Sequence, residues 1–268
     1  MKVFLNGRIL REAQARISAQ DPGFLYGAGL FETMRSYRGR IFLVREHLQR
    51  LAGSAKFLGI NIPFSEKKLA DACHEVLRAN KIQEGRVRLT ISREGAGGST
   101  ILITARALAA ERLRPFKLIR SSFSVSRNSP TARHKTLSYL PYLLAFEQAQ
   151  KQGADDALLF SEDGILLESS RANIFLVRHG ELHTPNLALP VLPGVTRAKV
   201  IELAQAQGIT VRQGEFREQD LFDSEGALLT NSVMEIAPVK SYGGKPFRSL
   251  KAMALIKRLM ELYRQHIS

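Results

Sequence analysis

The sequence predicts an α+β protein with two domains. Strand-like and helix-like segments are mixed in both halves of the chain, and its 268 residues suit one large domain or two smaller ones. The pattern breaks at residues 109–115, a charged stretch that ends in proline. We therefore predict a small N-terminal α+β domain at residues 1–112 and a larger C-terminal α+β domain at residues 113–268.

The N-terminal half begins with hairpins and continues with helices. Asn6-Gly7 separates two short apolar runs, and this pair readily adopts the positive φ angles of a tight turn, which predicts a hairpin. Residues 29–44 are rich in β-branched, aromatic and alternating residues around a second turn, which predicts another hairpin. Apolar residues recur every three or four positions in residues 46–58 and 66–80, which predicts two amphipathic helices.

Two further strands flank the glycine-rich turn EGAGG between residues 86 and 107. In the first strand Arg86 and Arg88 alternate with apolar residues, so both arginines share one face with Thr90 and Ser92. This polar face is either exposed to solvent or a wall that binds anions.

The C-terminal half mixes both kinds of element. Its patterns predict strands at residues 156–160, 165–168 and 173–177, and helices at residues 138–152, 195–207 and 250–265.

The chain is strongly basic. It has 39 Lys and Arg against 25 Asp and Glu, a formal charge of +14. The basic residues are spread along the chain without a run of five, and the aromatic-studded basic patterns of common nucleic-acid-binding modules are absent, so we predict no nucleic-acid partner. The charge is either a solvated surface or an attraction for small anionic substrates.

The cysteine count, the histidine spacing and the hydropathy of the chain exclude several other classes of protein. Cys73 is the only cysteine, so no intramolecular disulfide can form, and its helical pattern predicts a small buried residue. Only His179 and His183 are four residues apart, and they flank a turn, so no metal site is predicted. No stretch approaches the roughly 18 apolar residues of a membrane span, and the first residues do not form a signal peptide. We expect a cytoplasmic protein.

Three local features could carry chemistry. Residues 192–208 place Pro-Gly before a helix whose first backbone N–H groups suit a phosphate, although ordinary capping gives the same pattern. Lys135 lies at the predicted entry to a helix, where most lysines are surface residues. Glu168 ends an apolar strand, where a carboxylate is costly to bury unless it is paired.

The order of these features along the chain is more specific than any one of them. DPGFLYGAGLFETMR, EHLQRL, HKTLSYL, ESSRANIF, LPGVTR and LLTNSVMEIAPV follow one another between the first hairpin and about Val239. This series resembles the fold-type IV, or class IV aminotransferase, family of pyridoxal-phosphate enzymes. The family includes branched-chain and D-amino-acid aminotransferases and 4-amino-4-deoxychorismate lyase. The resemblance implies the two-domain α+β fold of the D-amino-acid aminotransferases and pyridoxal 5′-phosphate as cofactor.

The resemblance also implies a role for each matching residue. Lys135 corresponds to the catalytic lysine that binds the cofactor covalently, and Glu168 to the acid that pairs with the pyridine nitrogen. Tyr139 corresponds to a tyrosine near the phenolic oxygen of the cofactor. The cofactor phosphate would be bound by Arg50, Val195, Thr196 and Ser232.

Within the family the chain resembles the lyase most. FLYGAGLFETMR and TNSVMEI are similar to lyase sequences over whole segments. The lyase releases pyruvate and leaves 4-aminobenzoate for folate synthesis, and its substrate carries two carboxylates. We expect Arg88 to bind one carboxylate and Tyr26 and Phe31 to line the pocket.

Two alternatives remain open. One is a class IV aminotransferase that acts on branched-chain or D-amino acids with a 2-oxo acid acceptor. The other is a basic binding protein that keeps the fold without catalysis. The resemblance further implies a homodimer.

Overall fold

The computed structural model describes residues 1–95, 98–109 and 114–267. The chain divides into two compact units. The first contains Met1–Glu111 and His134–Tyr139, and the second contains Arg112–Arg133 and Leu140–Ser268. The predicted domain boundary between residues 112 and 113 lies outside the described residues, and the two predicted domains stay a prediction.

The first unit is built on a six-stranded antiparallel sheet with the order β2-β1-β6-β5-β3-β4. Asn6 and Gly7 have φ angles of 47° and 95°, so the first hairpin turns where the Asn-Gly pair predicts it. The strands are β1 (Lys2–Leu5), β2 (Arg8–Arg11), β3 (Gly29–Tyr37), β4 (Arg40–Ile41), β5 (Gly85–Ser92) and β6 (Ile101–Ala107).

Helices cover one face of this sheet and form its core. The first unit contains α1 (Pro22–Tyr26), α2 (Val44–Leu58) and α3 (Glu66–Ala79), with a short 3₁₀ turn at Glu12–Gln14. The apolar stripes of α2 and α3 pack with the inward residues of β3, β5 and β6 in one cluster. Cys73 is 0% exposed in this cluster, as its helical pattern predicts, and burial raises the pKa of its thiol to about 12.

The segment His134–Tyr139 is bound along the edge of β3. The Phe31 N–H donates to the Lys135 carbonyl at 2.8 Å, and the Leu137 N–H donates to the Gly29 carbonyl at 2.9 Å. His134 Nδ1 lies 3.0 Å from Ser54 Oγ of α2. The Thr136 N–H also donates to the His134 carbonyl at 2.9 Å, so Lys135 lies in a tight turn next to an isolated bridge between Leu30 and Thr136. Lys135 is five residues before the next helix, so it does not lie at the helix entry where the sequence predicts it.

The second unit contains a mixed nine-stranded sheet with the order β12-β11-β10-β13-β14-β7-β8-β9, and β15 pairs with β14. Its pairs β11·β12, β14·β7 and β7·β8 are parallel. The strands are β7 (Phe116–Val125), β8 (Asp156–Ser161), β9 (Leu166–Ser169), β10 (Asn173–Arg178), β11 (Glu181–Pro185), β12 (Val211–Gly214), β13 (Gly226–Asn231), β14 (Glu235–Tyr242) and β15 (Lys245–Pro246).

Among the described residues of this unit, four helices accompany the sheet: α4 (Leu140–Lys151), α5 (Val195–Ala206), α6 (Glu218–Phe222) and α7 (Leu250–Gln265). The predicted helices begin and end within two residues of α4, α5 and α7, because their apolar spacing is regular. Across the described ranges, no helix combines the length and the apolar character that crossing a membrane requires.

The contact between β3 and the segment His134–Tyr139 depends on a missing side chain. A Cβ atom on Gly29 would lie 2.5 Å from the Ile91 carbonyl oxygen and 2.6 Å from Leu137 Cδ1. Gly29→Ala should therefore lower the free energy of unfolding by about 1–3 kcal/mol, measured by urea denaturation.

Gly53→Ala is the matched control. Gly53 lies inside α2, and no atom comes within 4 Å of the place where a methyl group on it would lie. The same change there should raise stability by about 0.5–1 kcal/mol. Equal effects of the two substitutions would contradict the close packing at Gly29.

Candidate active site

Lys135 lies beside an aromatic pair in the first unit. Its Nζ atom is 4.5 Å from the ring centroid of Phe31 and 5.7 Å from that of Tyr139. The two rings meet edge to face, with centroids 5.4 Å apart. The backbone pairing of Lys135 with Phe31 sets this arrangement, because it holds both residues at the same level of the sheet edge.

Arg88 contacts the same phenylalanine. Its guanidinium carbon lies 3.7 Å from the Phe31 ring centroid, a cation–π distance, and its Nε donates to Thr90 Oγ1 at 3.3 Å. Burial lowers the pKa of Arg88 and the charge of Arg86 adds to that, while Tyr139 acts in the opposite direction. Phe31 thus contacts two cations, one on the segment His134–Tyr139 and one on β5.

Arg50 is held by a buried acid. Its Nε donates to Glu32 Oε1 at 2.8 Å and its second guanidinium nitrogen donates to Oε2 at 2.6 Å, a two-point pair. His47 Nδ1 lies 2.7 Å from the same Oε2. Glu32 and His47 are 1% exposed and Arg50 is 11% exposed, so the pair is almost completely removed from water.

The charges in this group determine its protonation. Burial raises the pKa of Glu32, but the charge of Arg50 and the contacts with His47 outweigh burial and hold that pKa at about 2. Burial lowers the pKa of His47 despite Glu32, and the charges of Arg50 and Lys135 lower it further. At neutral pH the group therefore contains an ionised Glu32, a charged Arg50 and a neutral histidine.

The second unit holds Glu168 in a separate polar group. Glu168 is 6% exposed at the end of β9, and its Oε2 accepts from Asn173 Nδ2 at 3.0 Å and from the Leu192 N–H at 3.2 Å. Asn173 Nδ2 also donates to the Leu192 carbonyl at 2.9 Å. Asn173 therefore joins the carboxylate of Glu168 to the loop that leads into α5.

The start of α5 is closely packed against Asn173. Gly194 is the N-cap residue, and a Cβ atom on it would lie 1.9 Å from Asn173 Oδ1. Thr196 in the first turn is 2% exposed, and its hydroxyl lies 3.4 Å from that of Ser232 in the loop after β13. The first turn of α5 contains no acidic residue, so no carboxylate there neutralises the partial positive charge of the helix N-terminus.

Arg197 lies in the same turn of α5 and binds two neighbouring strands. It is 3% exposed and donates to the Pro185 carbonyl and to Gln213 Oε1, both at 2.8 Å. Burial lowers the pKa of Arg197, and the charge of Glu168 acts in the opposite direction. Arg197 thus joins the start of α5 to β11 and β12 by hydrogen bonds.

The predicted site residues fall into two groups. Lys135, Phe31, Tyr139, Arg88 and Arg50 belong to the first unit, where the first four share the Phe31 contacts. Those of the second unit are Glu168, Val195, Thr196 and Ser232. Tyr26 lies at the end of α1 and is 76% exposed.

Three residues of these groups escape prediction from the sequence. Glu32 lies in β3, whose first four residues are all buried, so strand alternation does not mark it as special. His47 is three residues before Arg50 on α2, a spacing that places both on one helix face. Asn173 lies five residues after Glu168, across the turn from β9 to β10, and this local spacing is a usable signal.

Comparison with known proteins identifies the relatives of the chain. Residues 29–242 match the model of the family described as amino-transferase class IV. A putative branched-chain-amino-acid aminotransferase of Methanocaldococcus jannaschii is 33% identical, covering 98% of this chain and 96% of that protein. The aminodeoxychorismate lyase of Bacillus subtilis is 32% identical, covering 95% and 92%.

Solved structures of the same family share the fold. The branched-chain aminotransferase of Thermoproteus uzoniensis has a TM-score of 0.93 and 28% identity, covering 100% of this chain and 94% of that one. A second branched-chain amino acid aminotransferase, solved with pyridoxamine 5′-phosphate, has a TM-score of 0.90 and 26% identity, covering 99% and 94%.

The group around Glu32 makes a prediction about acid stability. Because the folded pKa of about 2 lies below the ordinary 4.5, Glu32 stabilises the fold above about pH 4.5, and this contribution is lost as the pH falls towards 2. Glu32→Gln should lower the free energy of unfolding at pH 7 by about 3 kcal/mol. In this variant the free energy of unfolding should also fall less between neutral and acid pH than it does in the wild type. Urea denaturation between pH 7 and pH 3 measures both.

The exposed acid Glu46 of α2 supplies the control for Glu32. Glu46→Gln should change stability by less than about 1 kcal/mol, because a solvated carboxylate interacts weakly with its neighbours. Equal effects of the two variants would be inconsistent with a buried ion pair.

The contact of Gly194 with Asn173 makes a second prediction. Gly194→Ala forces Asn173 away from Glu168 or moves the first turn of α5, and should lower the free energy of unfolding by about 1–3 kcal/mol. The affinity for pyridoxal phosphate, followed by absorbance, should fall in the same variant.

Gly180→Ala is the control. Gly180 lies in a turn of the same unit, and a Cβ atom on it would have no neighbour within 4 Å. The substitution therefore adds only the strain of an alanine at a positive φ angle. Its affinity for pyridoxal phosphate should equal that of the wild type. An unchanged affinity in both variants would show that the Asn173 contact does not position the helix start.

Proposed function

The chain belongs to the class IV aminotransferase family and is a pyridoxal-phosphate-dependent enzyme, and we propose that it is a 4-amino-4-deoxychorismate lyase. The proposal has three parts. These are the residues that bind the cofactor, the residues that bind the substrate, and the reaction that follows.

The chemistry of the two residue groups fits this cofactor. Pyridoxal phosphate requires an amine, an acid for its ring nitrogen and donors for its phosphate. Lys135 supplies the amine, and Glu168 supplies a buried carboxylate whose orientation is set by two N–H donors. We assign the covalent bond to Lys135, the ring nitrogen to Glu168 and the phenolic oxygen to Tyr139.

The phosphate is assigned to donors of two kinds. Arg50 contributes a guanidinium group whose orientation is set by Glu32. The backbone N–H groups of Val195 and Thr196 begin α5, and the Ser232 hydroxyl lies beside that of Thr196. Two nitrogens of Arg50 donate to Glu32, so its remaining N–H donors are the ones assigned to the phosphate. Backbone donors at a helix start and arginine N–H groups are groups that proteins commonly use for phosphate.

The residues of the chain have defined tasks in the reaction. When bound, the cofactor supplies a conjugated ring that accepts the electrons of a broken bond. The Glu168 carboxylate stabilises the protonated form of the ring nitrogen. Lys135 Nζ, as a free amine, would remove the proton from the ring carbon that bears the substrate amine, and it would donate a proton to the leaving enolpyruvyl group, which departs as pyruvate. His47, which is neutral beside Arg50, adds no positive charge to the surroundings of that amine.

The contact of Lys135 and Arg88 with one phenylalanine supports the lyase reaction best. A substrate whose amine reacts at Lys135 has a guanidinium group within reach, because Lys135 and Arg88 contact the same Phe31 ring. A carboxylate pairs strongly with such a group. 4-Amino-4-deoxychorismate carries an amine and two carboxylates, and we propose that Arg88 binds one of them while Phe31 and Tyr26 line the pocket.

An aminotransferase is the second candidate. The relative from Methanocaldococcus jannaschii, at 33% identity over nearly the whole of both chains, carries that description. An aminotransferase for branched-chain or D-amino acids would use the same cofactor residues with a 2-oxo acid acceptor. The two reactions differ in their need for this acceptor.

The proposed reaction also has consequences for assembly and cellular context. We propose a homodimer, and the exposed apolar side chains of α1 support it, since Phe24 and Tyr26 are each 76% exposed. A role in folate synthesis in the cytoplasm follows from the lyase proposal.

The lyase proposal predicts pyruvate release without an acceptor. Protein loaded with pyridoxal phosphate should convert 4-amino-4-deoxychorismate to 4-aminobenzoate and one equivalent of pyruvate with no added 2-oxo acid. Lys135→Ala should lower the rate by roughly 10²–10⁴-fold, because it removes the group that moves the proton. A coupled lactate dehydrogenase assay measures the pyruvate.

Lys151→Ala is the control for this variant, because Lys151 is an exposed lysine at the end of α4. Its activity should equal that of the wild type. Borohydride reduction and peptide mapping should place the cofactor on Lys135. Strict dependence of turnover on a 2-oxo acid would replace the lyase proposal with the aminotransferase, and labelling of another lysine would refute the assignment of Lys135.

A further inference from the structure

Asp156 is a buried acid of the second unit that the proposed reaction does not use. It is the first residue of β8 and is 1% exposed. Burial raises the pKa of Asp156, although the hydrogen bond from Ser170 and the charge of Arg171 act in the opposite direction. Arg171 Nε lies 3.7 Å from Asp156 Oδ2, and the arginine side chain is 42% exposed. A carboxylate buried in this way is unfavourable unless hydrogen bonds satisfy its oxygens.

The hydrogen bonds of Asp156 reach the turn between β9 and β10. The Ser169 hydroxyl donates to Oδ2 at 3.1 Å, and the Ser170 hydroxyl donates to Oδ1. The Ala157 N–H also donates to Oδ1, at 2.8 Å. Beside these contacts, the Ser170 N–H donates to the Ala157 carbonyl at 3.0 Å. The start of β8 is thus joined to this turn by both side-chain and backbone hydrogen bonds.

This turn connects Glu168 to Asn173. Glu168 immediately precedes Ser169 in β9, and Asn173 is the first residue of β10. The Ser169 N–H donates to the Ala172 carbonyl at 2.7 Å, which closes the turn. A change in the turn would therefore alter the hydrogen bond from the Asn173 amide to the Glu168 carboxylate.

The strand that carries Glu168 is short. β9 has four residues, is the last strand in the order of its sheet, and its register with β8 shifts once. Such a strand has few ladder hydrogen bonds, so side-chain contacts contribute more to its position. Neighbouring residues of a strand point to opposite faces, which places Ser169 and Glu168 on opposite faces of β9. The hydrogen bond from Ser169 to Asp156 therefore fixes the face to which Glu168 points.

We propose that Asp156 is a positioning residue that holds the Glu168 carboxylate at the ring nitrogen of the cofactor. It acts through the hydroxyl groups of Ser169 and Ser170. This inference rests on the proposed function, because it takes Glu168 as the acid that pairs with the ring nitrogen. A carboxylate keeps that nitrogen protonated only within hydrogen-bond distance, so a small displacement of Glu168 should lower the protonated fraction.

Nitrogen-15 NMR of protein loaded with pyridoxal phosphate labelled at the ring nitrogen tests the role of Asp156. The chemical shift of this nucleus differs strongly between a protonated and an unprotonated pyridine. Asp156→Asn keeps the size of the side chain but removes its charge and one acceptor. At pH 7 it should move the shift towards the unprotonated value, in the same direction as Glu168→Gln. The dissociation constant of pyridoxal phosphate should rise by about threefold to tenfold.

Two further variants test the route through the turn. Ser169→Ala removes one hydroxyl donor to Asp156 without changing a charge, and it should move the shift in the same direction by a smaller amount. It keeps the test decisive if Asp156→Asn does not fold. Added to Glu168→Gln, Asp156→Asn should cause no further movement, because Asp156 acts through Glu168.

Two control variants separate positioning from stability. Glu162→Gln removes an exposed acid just after β8 and should leave the chemical shift and the dissociation constant unchanged. Leu259→Ala truncates a fully buried leucine of α7. It should lower the melting temperature because it creates a cavity, but it should leave the chemical shift unchanged.

Three results would overturn the positioning role. They are a wild-type shift in both Asp156→Asn and Ser169→Ala, an equal movement in Leu259→Ala, and further movement when Asp156→Asn is added to Glu168→Gln. A wild-type shift in Glu168→Gln would refute the assignment of Glu168 and the role of Asp156 with it. The predicted movements in a protein that releases no pyruvate would support the role of Asp156 and refute only the lyase.

Discussion

The arrangement of the first unit depends on two backbone hydrogen bonds between β3 and the segment His134–Tyr139. These bonds join Gly29 and Phe31 to residues more than 100 positions later in the chain. They carry Lys135 to the edge of a sheet whose core is formed from the first 107 residues. Gly29 allows this approach because it has no side chain. The rigid edge of the sheet, more than any feature of residues 134–139 themselves, thus determines where the amine of Lys135 lies.

The same physical principle organises both polar groups. In the first unit an ionised acid, Glu32, fixes the orientation of a cation, and in the second unit an amide, Asn173, fixes the orientation of an acid. Each central group is almost fully buried, so an unpaired partner would be strongly unfavourable. Such groups have one low-energy arrangement. Donors and acceptors with fixed directions bind a ligand without further loss of conformational freedom, which favours a cofactor that stays bound.

Local patterns in the sequence predict most elements but not the contacts between them. The Asn-Gly hairpin and the helices at residues 66–80 and 250–265 are confirmed within a residue, because turn preference and apolar spacing are local properties. The order of the six motifs predicts the family and its cofactor, and the comparisons confirm both. The position of Lys135 beside β3 cannot be predicted from local patterns, because its backbone partner Phe31 is distant in sequence. Glu32 and the close approach of Gly194 to Asn173 depend on tertiary packing, which no single-sequence pattern contains.

The single cysteine allows local unfolding of the first unit to be measured by chemical labelling. Cys73 is fully buried in the core of the first unit, and its high pKa leaves almost no reactive thiolate at neutral pH. A thiol reagent can therefore reach it only when α3 separates from the sheet. Because no second cysteine competes, the rate of labelling under native conditions reports the free energy of this opening. The chain needs no engineered label for local unfolding to be followed with and without its cofactor.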